Sequence, residues 1–336
     1  MNRRKRPTLQ MIADHLGLTK MTISRYLRNP DSVAPETQHK IAAAIEQFGY
    51  IPNRAPDILS NAKSLAIGVL LPSLTNQVFA EVLKGIELIT DKAGYQTMVA
   101  HYGYSVEKEE QRIESLLSYN VDGLILSENH HSPRTLKMLE VANIPVIEIM
   151  DSSEMGIQQV VGFDNVAAAQ SMVETMIHYG HKNILYFTAR MDKRTKLKMQ
   201  GYENAMKKHG LTPHSLITSE PSSFTLGANL LRQALSQYPE TNGIFCTNDD
   251  LAIGALFECQ RLGIKIPQDI AIAGFHGHDV GQSMTPQLAT VITPRLEIGK
   301  IAAQELLNRL QGIPMKSHII NLGYEIHLGE SIKTQN

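Results

Sequence analysis

The sequence predicts an N-terminal α-helical headpiece with a helix-turn-helix, followed by a two-lobed α/β body built on parallel sheets. Three observations predict this fold class: apolar residues at helical spacing up to residue 51, a short linker over 52–63, and apolar strands alternating with amphipathic segments over 64–330. With 336 residues and 43% apolar content, the chain is long enough to build more than one core. We therefore expect three units with these boundaries.

A helix-turn-helix pattern begins at Thr8, which is a suitable N-cap for a first helix that Gly17 ends. The apolar face of this helix carries Leu9, Ile12, Ala13 and Leu16. Thr19 caps a second helix, in which Ile23 and Leu27 share the inner face. The outer face can reach bases and phosphates, and it carries Lys20, Met21, Thr22, Ser24, Arg25 and Arg28.

Charge divides the chain into a basic N-terminal part and an acidic body. Residues 1–63 hold ten Lys and Arg against five Asp and Glu, whereas the whole chain holds 32 against 33. Clustered cations bind a duplex phosphate backbone through counterion release, and the basic run Arg3–Arg6 could follow that backbone without reading sequence. The alternative is that this run is only a solvated tail. The charge pattern indicates double-stranded DNA as a partner.

Several classes of protein are excluded by absent patterns. No apolar run reaches the roughly 18 residues of a membrane span, and the basic N-terminus leads into an amphipathic helix instead of a secretory signal. Cys246 and Cys259 form no Cys-x-x-Cys pair, which fits a reducing compartment. Neither G-x-G-x-x-G nor G-x-x-x-x-G-K-[ST] occurs. We expect a cytoplasmic protein that is not an enzyme, has no catalytic residue and needs no cofactor or metal.

A third helix is expected over 35–47, and Gly49 is placed to end it. Its inward residues are Ile41, Ala42 and Ile45. The linker that follows predicts a hinge helix over 54–60, which Asn53 can cap and in which Pro56 falls in the first turn. A helix of two turns should be only marginally stable alone in water.

From residue 64 onward, short apolar strands alternate with segments long enough for helical crossovers, which is typical of parallel sheets. The clearest strand candidates are 65–71, 95–100, 123–127, 144–150, 183–188, 243–247 and 270–275. The sequence contains about ten strand candidates in total, which is more than one open sheet usually holds. We therefore expect two similar lobes with a cleft between them. Ligands of such sheets bind at the carboxyl ends of strands, which makes the cleft the predicted sensor site.

From Thr8 to about Leu328 the sequence resembles the LacI family of transcription regulators. The resemblance rests on G-L-T-K-M-T-I-S-R, G-Y-I-P-N-R, C-T-N-D-D-L-A-I-G-A and I-A-I-A-G-F. Within the family it is most similar to repressors of gluconate and idonate utilisation, through YIPNRAPDILSNA, LLPSLTNQVFAEVLKGIE, VGFDN and AGFHGHD. The resemblance implies a homodimer on a palindromic operator, a body like the periplasmic sugar-binding proteins, and release or tightening by a small effector.

The resemblance also implies DNA-binding residues, position by position. Lys20, Met21 and Arg25 fall where the family's recognition helix meets bases. Leu59 falls on the hinge leucine that wedges into the minor groove, although it could instead pack against the body. Further DNA contacts are implied for Thr8, Thr22, Ser24, Asn53 and Arg54.

The effector contacts implied by the resemblance are Ser73, Phe79, Asp151, Phe163, Lys198, Asn248, Asp249 and His276. Two of them depart from the family's sugar-binding pattern, since Lys198 stands where arginine is usual and His276 where an aspartate usually grips sugar hydroxyls. The second change removes a negative charge, and a lysine with a histidine donor suits a carboxylate. We therefore expect a sugar acid of the gluconate type as effector. As alternatives, His276 could have no ligand, and Asp249 could only cap the following helix.

Two other hypotheses arise from the same sequence. His276-x-His278-Asp279 could suggest a metal site, but structural zinc needs four ligands and no second cluster is near in sequence, so none is expected. The alternative function is a sugar-acid-binding protein or enzyme with an incidental basic N-terminus. Salt-sensitive, sequence-selective binding to a palindrome would distinguish a repressor from this alternative.

The oligomeric state is predicted from the C-terminal part of the sequence. Because no apolar heptads follow the last strand, we expect a homodimer without a tetramerising tail.

Overall fold

The computed structural model describes residues 6–53 and 63–333 of the chain. Contacts divide it into two units, a headpiece that ends at Ser64 and a body that begins at Leu65. No helix within the described residues is long and apolar enough to cross a membrane.

The headpiece consists of short helices joined by tight turns. They are α1 (Leu9–Leu16), α2 (Lys20–Arg28), a 3₁₀ turn (Pro30–Ser32) and α3 (Pro35–Phe48). Thr8 and Thr19 cap α1 and α2 as predicted, each accepting a hydrogen bond from the backbone N–H three residues on. Gly17 and Gly49 end α1 and α3 with φ of 62° and 59°, which a residue without a Cβ adopts at low cost.

The apolar core of the headpiece is formed by Ile12, Ala13, Ile23, Ile41 and Ala44. The inward position predicted for Ala42 is wrong, because Ala42 is exposed and Ala44 takes its place. Ile41, Ala44 and the partly buried Ile45 follow the i, i+3, i+4 spacing of one helix face. The predicted hinge helix over 54–60 lies outside the described residues.

The first lobe of the body is a six-stranded parallel sheet with helices packed on it. Its strands, in spatial order, are β11 (Ile319–Asn321), β5 (Gln159–Gly162), β4 (Val146–Ile149), β3 (Gly123–Leu126), β1 (Ala66–Leu71) and β2 (Gln96–His101). Its helices are α4 (Gln77–Thr90), α5 (Val106–Ser118), α6 (Pro133–Ala142) and α12 (Arg295–Leu310). The central strands β1, β3, β4 and β5 are buried on both faces, as parallel strands between helices must be.

The second lobe repeats this architecture with one antiparallel edge strand. Its strands, in spatial order, are β12 (Glu325–His327), β10 (Ala289–Ile292), β9 (Ala271–His276), β8 (Gly243–Cys246), β6 (Ile184–Phe187) and β7 (His214–Leu216). Its helices are α7 (Asn165–His178), α8 (Lys193–Lys208), α9 (Phe224–Gln237), α10 (Asp249–Leu262) and α11 (Asp279–Ser283). Only β12, which pairs with β10, runs antiparallel to its neighbour in this part of the described chain.

The two lobes are joined by several passages of the chain. Within residues 63–333 the chain crosses from one sheet to the other after β5, after β10 and between β11 and β12. One buried apolar cluster contains residues of both lobes, for example Val161 and Phe275. The predicted fold class, a helical headpiece with a two-lobed parallel α/β body, is therefore confirmed.

Candidate functional site

The outer face of α2 is the candidate nucleic-acid interface of the headpiece. Lys20, Met21 and Arg25 are exposed, and Met21 is 69% accessible although it is apolar. Thr22 and Ser24 on the same face are half-buried. Lys and Arg donate to guanine edges in the major groove, and an apolar side chain contacts the thymine methyl group. The exposed face of α2 therefore has the chemistry that base reading needs.

The other predicted DNA-binding residues are placed at the edges of the described headpiece. The Thr8 hydroxyl oxygen accepts a hydrogen bond from the Met11 N–H at 3.3 Å, so its own O–H is still able to donate. Asn53 is exposed and is the last described residue before the gap. Arg54 and Leu59 lie outside the described residues, and their roles stay predictions.

A cleft between the two lobes of the body is the candidate effector site, with an empty volume of about 390 Å³ including its open mouth. It is lined by Asn76, Val78, Phe79, Tyr104, Met150, Ala189, Arg190, Asp192, Arg194, Thr195, Lys198, Asn248 and His276. These residues follow or end β1, β2, β4, β6, β8 and β9, as expected for a site at the carboxyl ends of parallel strands. Among the predicted effector residues, the cleft brings together Phe79, Lys198, Asn248 and His276.

Lys198 is a cation that is only 3% exposed. Its ammonium donates to the Thr247 carbonyl at 2.9 Å, lies 3.1 Å from His276 Nε2, and lies 4.2 Å from the centre of the Phe275 ring. Burial lowers the pKa of Lys198 from 10.5 to about 7, although the nearby Asp192 favours the charged form. An anion bound in the cleft would supply the opposite charge that Lys198 lacks.

His276, the last residue of β9, has both ring nitrogens engaged. Nε2 faces the Lys198 ammonium, and Nδ1 lies 3.3 Å from the Thr293 hydroxyl. Burial lowers the pKa of His276 well below its usual value, and the neighbouring Lys198 and Arg295 lower it further. A neutral ring that accepts from Lys198 at Nε2 carries its proton on Nδ1, the nitrogen that faces Thr293. His276 thus lies beside Lys198 in the cleft lining, and its role as an effector contact stays a prediction.

The backbone of His276 is itself unusual. Its φ is 106°, a value that residues other than glycine rarely adopt. Such strain persists where the surrounding structure fixes the residue, and here the side chain of Arg295 donates to the His276 carbonyl. Arg295 also pairs with Glu81 of α4 at 3.0 Å, so the strained end of β9 in the second lobe is tied to the first lobe.

Sequence reasoning missed two cations of the cleft, Arg190 and Arg194. Both belong to the run Thr-Ala-Arg-Met-Asp-Lys-Arg-Thr that follows β6, at the same sheet edge as Asn248 after β8. The guanidinium carbon of Arg190 lies 4.6 Å from the centre of the Tyr104 ring. A polar, charged run directly after a buried parallel strand is the signal that could have found them.

The cleft carries more positive than negative charge. Its lining contains three cations, Arg190, Arg194 and Lys198, and one carboxylate, Asp192. The Asp192 carboxylate already accepts a hydrogen bond from the Thr195 N–H at 2.8 Å, as the N-cap of α8. Within residues 6–53 and 63–333, no ion pair with a carboxylate involves any of the three cations. The arrangement therefore suits a small anionic ligand.

Phe79 and Asn248 contribute the apolar and uncharged polar parts of the cleft. Phe79, on α4, is 4% exposed, and its ring centre lies 5.7 Å from the guanidinium carbon of Arg194. Asn248 is the N-cap residue of α10, but its side chain makes no capping hydrogen bond. Its amide can therefore donate to and accept from ligand hydroxyls.

Four predicted effector residues do not line the cleft: Ser73, Asp151, Phe163 and Asp249. Phe163 is fully buried in the apolar cluster shared by the two lobes. The Ser73 hydroxyl oxygen accepts hydrogen bonds from the backbone N–H groups of Thr75 and Asn76, which forms the turn into α4. Phe163 therefore packs in the core and Ser73 stabilises a turn, and their roles as effector contacts stay predictions.

The two carboxylates of this set accept hydrogen bonds from the protein. Asp151 accepts one from the Asn129 side-chain amide at 3.2 Å. Asp249, in the first turn of α10, accepts from the His278 N–H at 2.6 Å and from the Thr290 hydroxyl at 2.7 Å. Sequence position places both residues next to strand ends, but it does not determine which direction their carboxylates take.

The first turn of α8 links the second lobe to the first. Arg194 Nη1 donates to the Ser127 carbonyl at 2.6 Å. Lys193 pairs with Glu154 at 2.7 Å and donates to the Asn129 side chain at 3.2 Å. Because these three partners lie in loops of the first lobe, a change at the start of α8 can alter how the lobes close.

Comparison with known proteins places both units in one family. Residues 8–53 match the family model described as bacterial regulatory proteins, lacI family, and residues 64–332 match periplasmic binding proteins and sugar binding domain of LacI family. The HTH-type transcriptional regulator GntR of Escherichia coli (strain K12) is 58% identical over 98% of this chain and 100% of its own length. The regulator IdnR of the same strain is 47% identical over 98% of this chain and 100% of its own length.

The same assignment comes from a solved structure. A LacI-family transcriptional regulator from Silicibacter pomeroyi superposes with a TM-score of 0.92 and 31% sequence identity, covering 98% of this chain and 100% of that chain. The likeness therefore extends over the headpiece and the body together.

Proposed function

The chain belongs to the LacI family of DNA-binding transcriptional repressors, and from this premise we propose that it represses genes for the use of a gluconate-type sugar acid. A homodimer binds a palindromic operator through two headpieces, since two-fold symmetry of the protein matches two half-sites. The sugar acid binds in the cleft of the body and releases the operator.

The effector class rests on one observation, the unpaired positive charge of the cleft. Arg190, Arg194 and Lys198 line it together with a single carboxylate. A neutral sugar leaves these cations without a partner, whereas a carboxylate forms charge-assisted hydrogen bonds with them. The Asn248 amide and the Phe79 ring supply the polar and apolar contacts that a hydroxylated carbon chain needs. The resemblance to repressors of gluconate and idonate utilisation supports the same class.

On the DNA side, the exposed face of α2 enters the major groove. Lys20, Met21 and Arg25 contact base edges, and this assignment is supported by their exposure on one side of the helix. Contacts to the DNA backbone come from Thr8, Thr22, Ser24 and Asn53. Arg54 and the minor-groove wedge Leu59 belong to the same proposal, although they lie outside the described residues.

The operator and the effector are coupled by linkage. If the sugar acid weakens operator affinity, the operator must weaken affinity for the acid by the same factor, which is typically about 5- to 150-fold. The connection between α8 and the first lobe is the part of the cleft where effector binding can change lobe closure. Ordering of the hinge over 54–60 would then be the element that both ligands bias.

The effector class is tested with the full chain and a panel of matched ligands. Thermal unfolding is measured with gluconate, idonate, 6-phosphogluconate and the neutral alcohol glucitol. A ligand present at about 100 times its Kd should add about 2.7 kcal/mol of stability, and we expect this only for the acids. The acid that stabilises most is then titrated against the preformed operator complex, which it should dissociate. Stabilisation by glucitol and not by any acid would contradict the proposal.

The headpiece assignment is tested with Arg25→Ala and Lys20→Ala. Each should weaken operator binding by about 1 to 3 kcal/mol, because a bidentate base contact is lost. Effector affinity should stay unchanged, since these residues and the cleft belong to different units. The matched control is Lys40→Ala, an exposed cation of α3 paired with Glu36, which should leave operator affinity near wild type. If both test variants bind the operator with wild-type affinity, the assignment of α2 to the major groove is wrong.

A further inference from the structure

Arg194 belongs to the second lobe of the body but is held by the first. It is the second residue of α8, yet its Nη1 donates to the Ser127 carbonyl, which follows β3. Its guanidinium also faces the ring of Phe79 on α4. The Arg194 side chain therefore crosses from the second lobe to the first and is held in place there. Because Arg194 lines the cleft, an effector that fills the cleft lies close to its guanidinium.

The guanidinium keeps its charge in this position. Burial by itself lowers the pKa of Arg194, but the nearby carboxylates of Glu128 and Asp192 outweigh burial and raise it. Neither carboxylate forms an ion pair with Arg194. A guanidinium has five N–H donors in a planar fork, and the Ser127 carbonyl accepts from only one of its two terminal nitrogens.

Lys198 is less suited to be the main partner of a carboxylate. It lies four residues after Arg194, on the same face of α8. Two of its three N–H groups are directed to the Thr247 carbonyl and to His276. An ammonium is also a point charge, whereas the guanidinium fork matches a carboxylate with two parallel hydrogen bonds.

We propose that Arg194 is the residue that selects a carboxylate over an uncharged end group in the effector, with Lys198 as its supplement. The proposal rests on the proposed function, because it names the group that recognises the acid. A carboxylate on Arg194 binds a side chain that is already anchored in the first lobe, so acid recognition and lobe closure use one residue. A neutral sugar of the same length has no group that makes this contact.

The test compares gluconate with glucitol, which keeps the hydroxylated chain and replaces the carboxylate by an alcohol. Affinities are measured by calorimetry at about pH 6, which lies below the pKa of Lys198 of about 7. Because the charge of Arg194 lowers this pKa, removing that charge keeps Lys198 in its charged form. Arg194→Gln should weaken gluconate binding about 10- to 100-fold, since a charge-assisted hydrogen bond is lost, and should change glucitol binding less than about threefold. Arg194→Lys should restore part of the preference for the acid.

The matched control is Lys196→Gln, because Lys196 is an exposed cation of the same helix turn that does not line the cleft. Thermal unfolding of each ligand-free variant shows whether its body is folded. Equal losses for gluconate and glucitol in Arg194→Gln would show a structural role and overturn the proposal, as would an unchanged gluconate affinity, while the proposed function would stand in both cases. If the wild type prefers glucitol, or if it binds neither glucitol nor any acid of the thermal-unfolding panel, both the proposed effector class and the role of Arg194 are wrong.

Discussion

Two buried charge clusters in the body differ in how their charges are compensated. In the first lobe, His131 lies between Glu109 of α5 and Glu148 of β4, with its ring nitrogens 2.9 and 3.2 Å from their carboxylate oxygens. In the cleft, Lys198 lies beside the ring of His276 and donates to an uncharged carbonyl. The His131 cluster has two carboxylates in direct contact with its cation, whereas Lys198 has none in direct contact.

The pKa values of the two cations move in opposite directions for this reason. Burial opposes the charge of both. For His131, the hydrogen bonds and charges of Glu109 and Glu148 outweigh burial and raise the pKa to about 9. For Lys198, burial prevails and the pKa falls to about 7. The first arrangement is typical of a structural charge network, and the second of a site whose electrostatics are completed by a ligand.

The largest effect expected from this comparison is that of His131→Ala. The substitution leaves two carboxylates buried near each other without a cation, and removing one member of a buried charge network costs about 3 to 5 kcal/mol. Denaturant unfolding of the full chain at about pH 6 measures the loss. The matched control is His130→Ala, an exposed neighbour, which should change stability by less than about 0.5 kcal/mol.

The pH dependence of the stability of His131→Ala provides a second test of the His131 network. The pKa of His131 is about 9 in the folded chain against 6.5 for an ordinary histidine, so its stabilising charge is fully present below pH 6.5 and is lost as the pH rises through 9. The gap between wild type and His131→Ala should therefore narrow over this range. A His131→Ala protein as stable as the His130→Ala control would show that the network does not stabilise the lobe.

A smaller effect of opposite sign is expected for Lys198→Met in the ligand-free protein. Lowering the pKa of Lys198 from 10.5 to about 7 corresponds to about 5 kcal/mol against the charged form. Methionine removes this cost but leaves the Thr247 carbonyl without its donor, which costs about 1 to 3 kcal/mol. We expect a net gain of about 2 to 4 kcal/mol, together with weaker binding of the sugar acid.

The gain from Lys198→Met should be largest below pH 7 and should fade as the pH approaches 10.5, because Lys198 is then uncharged in both the folded and the unfolded chain. Thermal unfolding with and without gluconate measures both effects. Lys196→Met, on the exposed face of α8, is the control and should shift stability by less than about 0.5 kcal/mol. A Lys198→Met protein that unfolds more easily than wild type at about pH 6 would contradict the idea that the cleft is electrostatically incomplete.

The sequence predicts the fold better than it predicts these charge clusters. Each of the seven strand candidates overlaps a strand, because buried parallel strands are uninterrupted apolar runs such as 66–71. The strands not identified individually, among them β7 and β12, are short and contain polar residues such as His214 and Glu325. Their pairing is determined by neighbouring strands, which a local pattern does not contain.

In the candidate site, too, the sequence predicts what depends on local position and not what depends on distant residues. Residues at the ends of strands and caps, such as Asn248, are found from local position. The partners of His276 lie 17 and 78 residues away, so its engagement as an acceptor could not be read from its neighbours in sequence. Likewise, His131 is separated by 22 and 17 residues from its two glutamates. Long-range partners decide whether a buried charge is structural or is available to a ligand.

The smallest expected effect is a pH dependence of sugar-acid binding, which only the Lys198 cluster should produce. A carboxylate beside Lys198 favours the charged form, so binding of the acid above pH 7 requires uptake of a proton by Lys198. The other groups around this ammonium do not keep it charged above pH 7. His276 is neutral, and the charge of Arg194 lowers the pKa of Lys198. The charges of Asp192 and Asp249 raise that pKa, but not enough to outweigh burial. The affinity should be level below pH 7 and fall above it.

The expected loss approaches tenfold per pH unit, or about 1.4 kcal/mol, so gluconate should bind about 20-fold more weakly at pH 8.5 than at pH 6.5. Calorimetry at pH 8.5 in two buffers of different ionisation enthalpy measures the proton uptake directly. In Lys198→Met both the pH dependence and the uptake should disappear, whereas His131→Ala should keep them, because His131 lies outside the cleft lining. Equal gluconate affinities at the two pH values in the wild type would mean that the acid does not use the charge of Lys198, and the cleft would then need only Arg190 and Arg194 to hold it.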